Sequence, residues 1–239
     1  VKTDLIENIQ IVQKAISSRG ILPILSSIFF QTQKSNLTLS ATDLEMSIKC
    51  NMKAKVISQG VMVVPAKLIG DIIRNLPEST IEIKVDSQKR QVKIICENSE
   101  FNINIFPEDD FPKTPDQTKE VFCIVNGGEF LNGIKKVIRA TSKDESRPVL
   151  TGVLLNTTKD KLKMVATDSY RLAVCEIPVK KIEQEIEVII PARVLNELMK
   201  ILKEDQEVKI SLAANQINFN FSEVNLTSRL IEGQYPNYQ

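Results

Sequence analysis

The 239-residue sequence contains no histidine and no tryptophan, and only 5% of its residues are aromatic. Histidine is the commonest general base and metal ligand, so its absence excludes the dyads and triads that depend on it. The four cysteines are isolated, without the Cys-x-x-Cys spacing of a metal site. No apolar run approaches the roughly 18 residues that span a bilayer. The sequence therefore predicts a cytoplasmic globular protein without metal, cofactor or catalytic site.

What the sequence does contain is an internal repeat with an offset of about 125 residues. Four short segments recur in the same order, and their spacing drifts by only one residue. The pairs are Leu22-Pro23-Ile24-Leu25 with Arg147-Pro148-Val149-Leu150, Ala41-Thr42-Asp43 with Ala166-Thr167-Asp168, Pro65-Ala66-Lys67 with Pro191-Ala192-Arg193, and Phe111-Pro112 with Tyr235-Pro236. The repeat predicts two homologous domains, residues 1–113 and 121–239, joined by a polar linker over residues 114–120.

Each copy carries two helical patterns and several short runs typical of strands. The first helix of each copy has apolar residues at i, i+4 and i+7, namely Leu5, Ile9 and Val12 against Phe130, Ile134 and Val137. The second opens with Pro65 or Pro191, and its stripe in the first copy is Leu68, Ile69, Ile72, Ile73 and Leu76. Short connections favour antiparallel pairing. We therefore expect an α+β fold in which each domain has a strand, a helix and three further strands, with its two helices packed on antiparallel sheets.

The net charge of +1 is unevenly distributed. Three of the four predicted helices carry more basic than acidic residues, which predicts a basic helical face on a nearly neutral protein. Such a face suits the phosphate backbone of duplex DNA, held without sequence preference. The candidate contacts are Arg74, Lys135, Arg139, Arg193 and Lys200; the alternative for each is ordinary solvent exposure.

The repeated Ala-Thr-Asp segment permits two interpretations. Asp43 and Asp168 would be the acidic groups of a hydrolase, or each would close a turn at the end of a strand. Because the two residues lie in separate domains, they do not readily form one acid/base pair. An Asx turn is the favoured interpretation.

These motifs, together with Asp144-Glu145-Ser146-Arg147-Pro148 and the run from Ala166 to Leu172, resemble the bacterial β sliding clamp family. The resemblance covers essentially the whole chain. It implies the DNA-clamp fold, in a family with three such domains per chain and two chains that close as a homodimeric ring around DNA. This chain would then be the N-terminal two domains, with the third absent. A two-domain ring of three chains, as in eukaryotic and archaeal clamps, is the alternative.

The resemblance also implies roles for individual residues. Arg19, Lys143 and Arg147 would approach double-stranded DNA, and Phe101 and Ile103 would lie at the dimer interface. The clients would be the replicative polymerase catalytic subunit, the clamp loader and repair polymerases, which dock short peptides. The peptide pocket would comprise Leu150, Thr167, Ser169, Tyr170, Arg171, Leu172 and Pro236. The resulting hypothesis is a non-enzymatic, nucleoid-associated processivity factor. The alternatives are a protein-interaction adaptor outside the clamp family and an Asp-dependent hydrolase.

Overall fold

The structure, a computed structural model, describes residues 1–16, 22–112, 121–158, 160–213 and 215–238. The chain divides into two compact units, Val1–Pro115 and Asp116–Gln239. The predicted linker and Arg19 lie outside the described residues.

Unit 1 contains two helices and two antiparallel sheets. The helices are α1 (Lys2–Val12) and α2 (Ala66–Asn75). The strands are β1 (Ser27–Gln33), β2 (Asn36–Thr42), β3 (Met46–Lys53), β4 (Val61–Pro65), β5 (Glu82–Asp86), β6 (Gln91–Cys96) and β7 (Ser99–Asn104). One sheet has the order β3-β2-β1-β4 and the other has the order β5-β6-β7.

Both helices of unit 1 pack on its four-stranded sheet and on each other. The predicted stripe of α1 is confirmed, since Leu5, Ile9 and Val12 are buried. In α2 the prediction was wrong for Leu68, which is 45% exposed. Gln13, directly after α1, reaches the start of α2, where its Nε2 donates to the carbonyl of Ala66 at 2.7 Å.

Unit 2 has a related architecture. Its helices are α3 (Gly127–Val137) and α4 (Ala192–Ile201). Its strands are β8 (Val121–Asn126), β9 (Gly152–Thr158), β10 (Lys161–Thr167), β11 (Leu172–Pro178), β12 (Lys181–Ile182), β13 (Glu187–Pro191), β14 (Glu207–Ala213), β15 (Gln216–Phe221) and β16 (Val224–Arg229). The strands pair in the orders β11-β10-β9-β13 and β12-β8-β14-β15-β16.

The four-stranded sheet of unit 2 separates two surfaces. On one face α3 packs against β10 and β11, and Met164 contacts α3 at Gly133. Because successive side chains of a strand point to opposite faces, Val165 points away from α3. There it packs with Leu154, Ile189 and Tyr235 in a buried cluster. The helix and the segment that contains Tyr235 therefore lie on opposite faces of this sheet.

The α+β class is confirmed, but the predicted order of elements was incomplete. In unit 1 the first helix is followed by four strands, the second helix and three strands. Unit 2 has the same order after β8, with the short strand β12 added between its two helices. The missed strands include β1 and β4, where buried residues run consecutively over Ser27–Ile28 and Met62–Val64. Such runs lack the alternation that indicates a half-buried strand.

Candidate peptide-binding and DNA-facing sites

The Thr-Asp segment that the two copies share forms the same turn in each unit. In unit 1, Oδ1 of Asp43 accepts from the backbone N–H groups of Glu45 and Met46 at 3.1 and 2.8 Å. In unit 2, Oδ1 of Asp168 accepts from those of Tyr170 and Arg171, both at 3.0 Å. The residue after each aspartate has positive φ, 78° at Leu44 and 79° at Ser169. The predicted Asx turns are therefore confirmed.

The turn of unit 2, residues 167–172, carries five of the seven predicted pocket residues. Oγ1 of Thr167 donates to the carbonyl of Arg171 at 2.8 Å and accepts from the N–H of Ser169 at 3.1 Å. Closed in this way, the turn exposes Tyr170 by 95% and Leu172 by 49%. Two large apolar surfaces thus face solvent on a rigid turn, an arrangement suited to an extended peptide.

Asp168 also holds the guanidinium of Arg171 in place. Its Oδ2 accepts from Nε of Arg171 at 3.0 Å. Backbone hydrogen bonds from Tyr170 and Arg171, with the charge of Arg171, hold the pKa of Asp168 below its usual value. The carboxylate therefore stays ionised and occupied as a hydrogen-bond acceptor, which fits a structural role rather than a catalytic one.

Arg147 lies beside the same turn. Its Nη1 donates to Oγ of Ser169 at 3.0 Å, and its Nε pairs with Oδ2 of Asp144 at 3.1 Å. The following 3-10 helix, Pro148–Thr151, buries Leu150, which is 3% exposed. The sequence assigned Arg147 to DNA alone, whereas the structure brings it into contact with a predicted pocket residue. Leu150, a predicted pocket residue, is thus buried, whereas Tyr170 and Leu172 are exposed.

The segment after β16 completes the site. Tyr235 is buried, and its hydroxyl accepts from the backbone N–H of Thr167 at 3.1 Å. Pro236 follows at once and is exposed. The structure therefore brings together the turn, Arg147 and the Tyr235-Pro236 pair around one surface of unit 2. Sequence reasoning missed Tyr235 as part of this site, although it was recognised as an anchor of the repeat.

A cleft of about 250 Å³ adjoins this surface. It is lined by Leu154, Ile189, Ile231 and Tyr235, together with polar groups that include Glu232. It shares Tyr235 with the surface just described but none of the predicted pocket residues. The predicted pocket residues therefore lie on a surface beside this cleft rather than in it.

The predicted DNA contacts fall into different electrostatic settings. Arg74 pairs with Asp71 at 3.1 Å, and Lys200 pairs with Glu197 at 2.7 Å. Lys135, Arg139 and Lys143 are exposed, and within the described ranges no carboxylate pairs with them. Their charge is therefore the most available to a phosphate. The remaining described candidate, Arg193, is also exposed.

Lys135 and Arg139 are four residues apart on and just after α3, so they share one side of that element. The residues that α3 buries, such as Phe130, Ile134 and Val137, form its other side. Lys136 is also exposed in the last turn of α3, where a cation is favoured by the helix dipole. The basic surface of unit 2 therefore lies at the end of α3.

The predicted dimer interface lies on β7, an edge strand of the sheet β5-β6-β7. Phe101 is 39% exposed there, but Ile103 is only 4% exposed. Ile103 lies opposite Val92, which is fully buried. Of the two predicted interface residues, only Phe101 presents an exposed side chain, and the assignment of both to a dimer interface stays a prediction.

The described residues give little support to a metal site, a reactive thiol or a membrane-spanning helix. No group of three or more Cys, Asp or Glu residues within the described ranges is arranged to hold a metal ion. Burial raises the pKa of the Cys50 and Cys123 thiols to about 12, so both are inert core groups. No helix among the described residues has both the length and the apolar character needed to cross a membrane.

Comparison with known proteins agrees with this geometry. The family model for the N-terminal domain of the DNA polymerase III beta subunit matches residues 1–115, and the model for its central domain matches residues 124–237. The beta sliding clamp of Halalkalibacterium halodurans is 34% identical over 244 residues, which cover 97% of this chain and 64% of the relative.

Solved structures give the same result. The DNA polymerase sliding clamp of Bacillus subtilis is 30% identical with a TM-score of 0.94, over 99% of this chain and 64% of that one. The griselimycin-bound DnaN sliding clamp of Pseudomonas aeruginosa is 27% identical with a TM-score of 0.91, over 99% and 65%. The chain spans less than two thirds of the length of the curated relatives it matches. It belongs to the DNA polymerase III beta subunit family, the bacterial β sliding clamps, and contains the N-terminal and central domains of that family.

Proposed function

We propose that this protein is a sliding clamp, a processivity factor that surrounds duplex DNA without sequence preference. It would tether the replicative polymerase, the clamp loader and repair polymerases through their peptides. The observation that carries this proposal is the rigid turn 167–172, with exposed Tyr170 and Leu172, in a chain of the clamp family. As a homodimer on DNA, the protein would act at the nucleoid.

The separation of surfaces within unit 2 supports both halves of this proposal. Lys135 and Arg139 lie on or after α3, while Tyr235 and Pro236 lie across the four-stranded sheet from α3. A bound peptide would therefore not compete with DNA for the same surface. Exposed lysines and arginines make weak, salt-screened phosphate contacts, which allow a ring to slide.

Arg147, which the resemblance assigns to DNA, also lies beside the peptide site in this proposal. Its guanidinium is fixed by Asp144 and Ser169, so it presents its remaining donors in one orientation beside the turn. A fixed guanidinium recognises a carboxylate or carbonyl of a docked peptide at lower entropic cost than a mobile one.

Retention on DNA tests the topological half of the proposal. The full-length protein is loaded onto closed circular duplex DNA, washed, and followed as the circle is linearised. A ring is retained on the circle and lost from the linear form, because free ends let it slide off. Equal retention on both forms contradicts the proposal.

Calorimetry with griselimycin as the probe tests the peptide site, since clamps from two organisms have been solved with this compound bound. Replacing both Tyr170 and Leu172 by alanine should weaken binding at least about tenfold, because two exposed apolar anchors are lost. Ile57→Ala, an 84% exposed apolar residue of unit 1, is the matched control and should leave the affinity unchanged. Unchanged affinity in the double variant contradicts the assignment.

A further inference from the structure

Tyr235 combines deep burial with a hydroxyl that is hydrogen-bonded to the end of β10. The residue is 7% exposed and packs with Leu154, Val165 and Ile189. Its hydroxyl accepts from the N–H of Thr167 at 3.1 Å and lies 3.5 Å from the carbonyl oxygen of Val165, to which it donates. Burial raises the pKa of this phenol, so it remains a neutral donor and acceptor near neutral pH.

The contact with Thr167 reaches the peptide-binding turn through a short chain of hydrogen bonds. Thr167 closes the turn from the other side, with its hydroxyl bonded to the N–H of Ser169 and the carbonyl of Arg171. Ser169 in turn accepts from Arg147. The tyrosine hydroxyl therefore anchors the first residue of a network that orients the turn.

The segment that contains Tyr235 and Pro236 is held on both sides of Tyr235. Gly233, with φ of +133°, lets the segment pass so near the 3-10 helix 148–151 that a Cβ there would be 2.7 Å from Cγ1 of Val149. Farther along, the ring of Tyr238 lies 5.1 Å from Nζ of Lys163. Pro236 lies between these contacts, directly after Tyr235.

Unit 1 provides an internal comparison. There the equivalent residue of the repeat is Phe111, which packs on Phe29 with ring centroids 5.1 Å apart. The aromatic ring is thus common to both units, whereas the hydroxyl occurs only in the unit that carries the peptide-binding turn. Packing explains an aromatic ring at both positions, but it does not explain the hydroxyl of Tyr235.

We infer that Tyr235 is a positioning residue of the peptide site, whose hydroxyl holds the turn 167–172 in a fixed position relative to Pro236. This inference rests on the proposed peptide-binding function. At 7% exposure, Tyr235 offers a ligand almost no surface of its own. It lowers the cost of binding by fixing the two sides of the surface before the ligand arrives.

The test compares Tyr235→Phe with Tyr238→Phe, which removes a phenolic hydroxyl from the same cluster but leaves the bond between Thr167 and Tyr235 in place. Griselimycin binding is measured by calorimetry well below the unfolding temperature, and exchange of the Thr167 amide is followed by NMR. Tyr235→Phe should weaken binding about fivefold, the equivalent of one neutral hydrogen bond. It should also accelerate exchange of the Thr167 amide, while Tyr238→Phe changes neither quantity.

The possible results separate this inference from the proposed function. If the unaltered protein binds griselimycin and Tyr235→Phe binds it equally well, the positioning role is wrong while the peptide site stands. The same conclusion follows if Tyr235→Phe lowers only the unfolding temperature, because a merely structural hydroxyl would do that. If the unaltered protein does not bind griselimycin, the peptide site itself fails, and the positioning role fails with it.

Discussion

Replacing Lys135, Arg139 and Lys143 by glutamine should make DNA binding less dependent on salt. These exposed cations of unit 2 have no carboxylate partner in the described part of the chain. Each phosphate contact contributes about 0.9 to the slope of log K against log salt, so three contacts contribute roughly 2.7. Between about 50 and 200 mM salt, the unaltered protein should therefore lose roughly 40-fold more affinity than the variant does.

Fluorescence anisotropy with a short labelled duplex measures this slope. The matched control removes three lysines of unit 2 that lie on or beside its strands and are already paired with glutamates, Lys161, Lys180 and Lys181. Both variants have the same net charge, so a difference in slope reports position rather than total charge. An equal change in both, or an unchanged slope in the first, would refute the DNA-facing assignment of α3 and the residues after it.

Two further predictions concern unit 1. Ser27 is 1% exposed, and its hydroxyl has no hydrogen-bond partner among the described residues. Ser27→Ala should therefore raise the free energy of unfolding by about 1 kcal/mol in urea denaturation, and a decrease would show that the hydroxyl has a partner. Hydrogen bonds from the hydroxyl and N–H of Thr3 lower the pKa of Glu78. These bonds therefore contribute to stability above the ordinary glutamate pKa, and the contribution is lost as pH falls through the lowered value. Thr3→Ala should raise that pKa in an NMR titration; an unchanged midpoint would contradict this cause.

The parts of the site that depend on local spacing were predictable from the sequence. The stripe Leu5, Ile9 and Val12 is buried because a helical repeat alone sets which residues share a face. Asp168 closes its turn because an aspartate hydrogen-bonds to backbone groups two and three residues ahead. Neither result requires a distant partner.

Other outcomes depended on residues far apart in the sequence. Phe101 and Ile103 share one face of β7, and each lies opposite a fully buried residue of β6, yet Phe101 is 39% exposed and Ile103 only 4%. Alternation along the strand does not predict this difference. Arg147 could be recognised as a cation from the sequence, but its contact with Ser169 spans 22 residues. The residue type fixes the sign of the charge, but the tertiary structure decides where the side chain points.

The sequence by itself determined the stripe of α1 and the paired Asx turns, because these arise from interactions within a few residues. The duplication and the α+β class were also readable from it. The tertiary structure alone decided that the turn 167–172, Arg147 and Tyr235 meet at one surface, and that α3 lies across the sheet from it. The bond between Thr167 and Tyr235 joins residues 68 positions apart. No spacing rule reaches that far; only the packing of β10 and the segment after β16 on a common core brings them within hydrogen-bond distance.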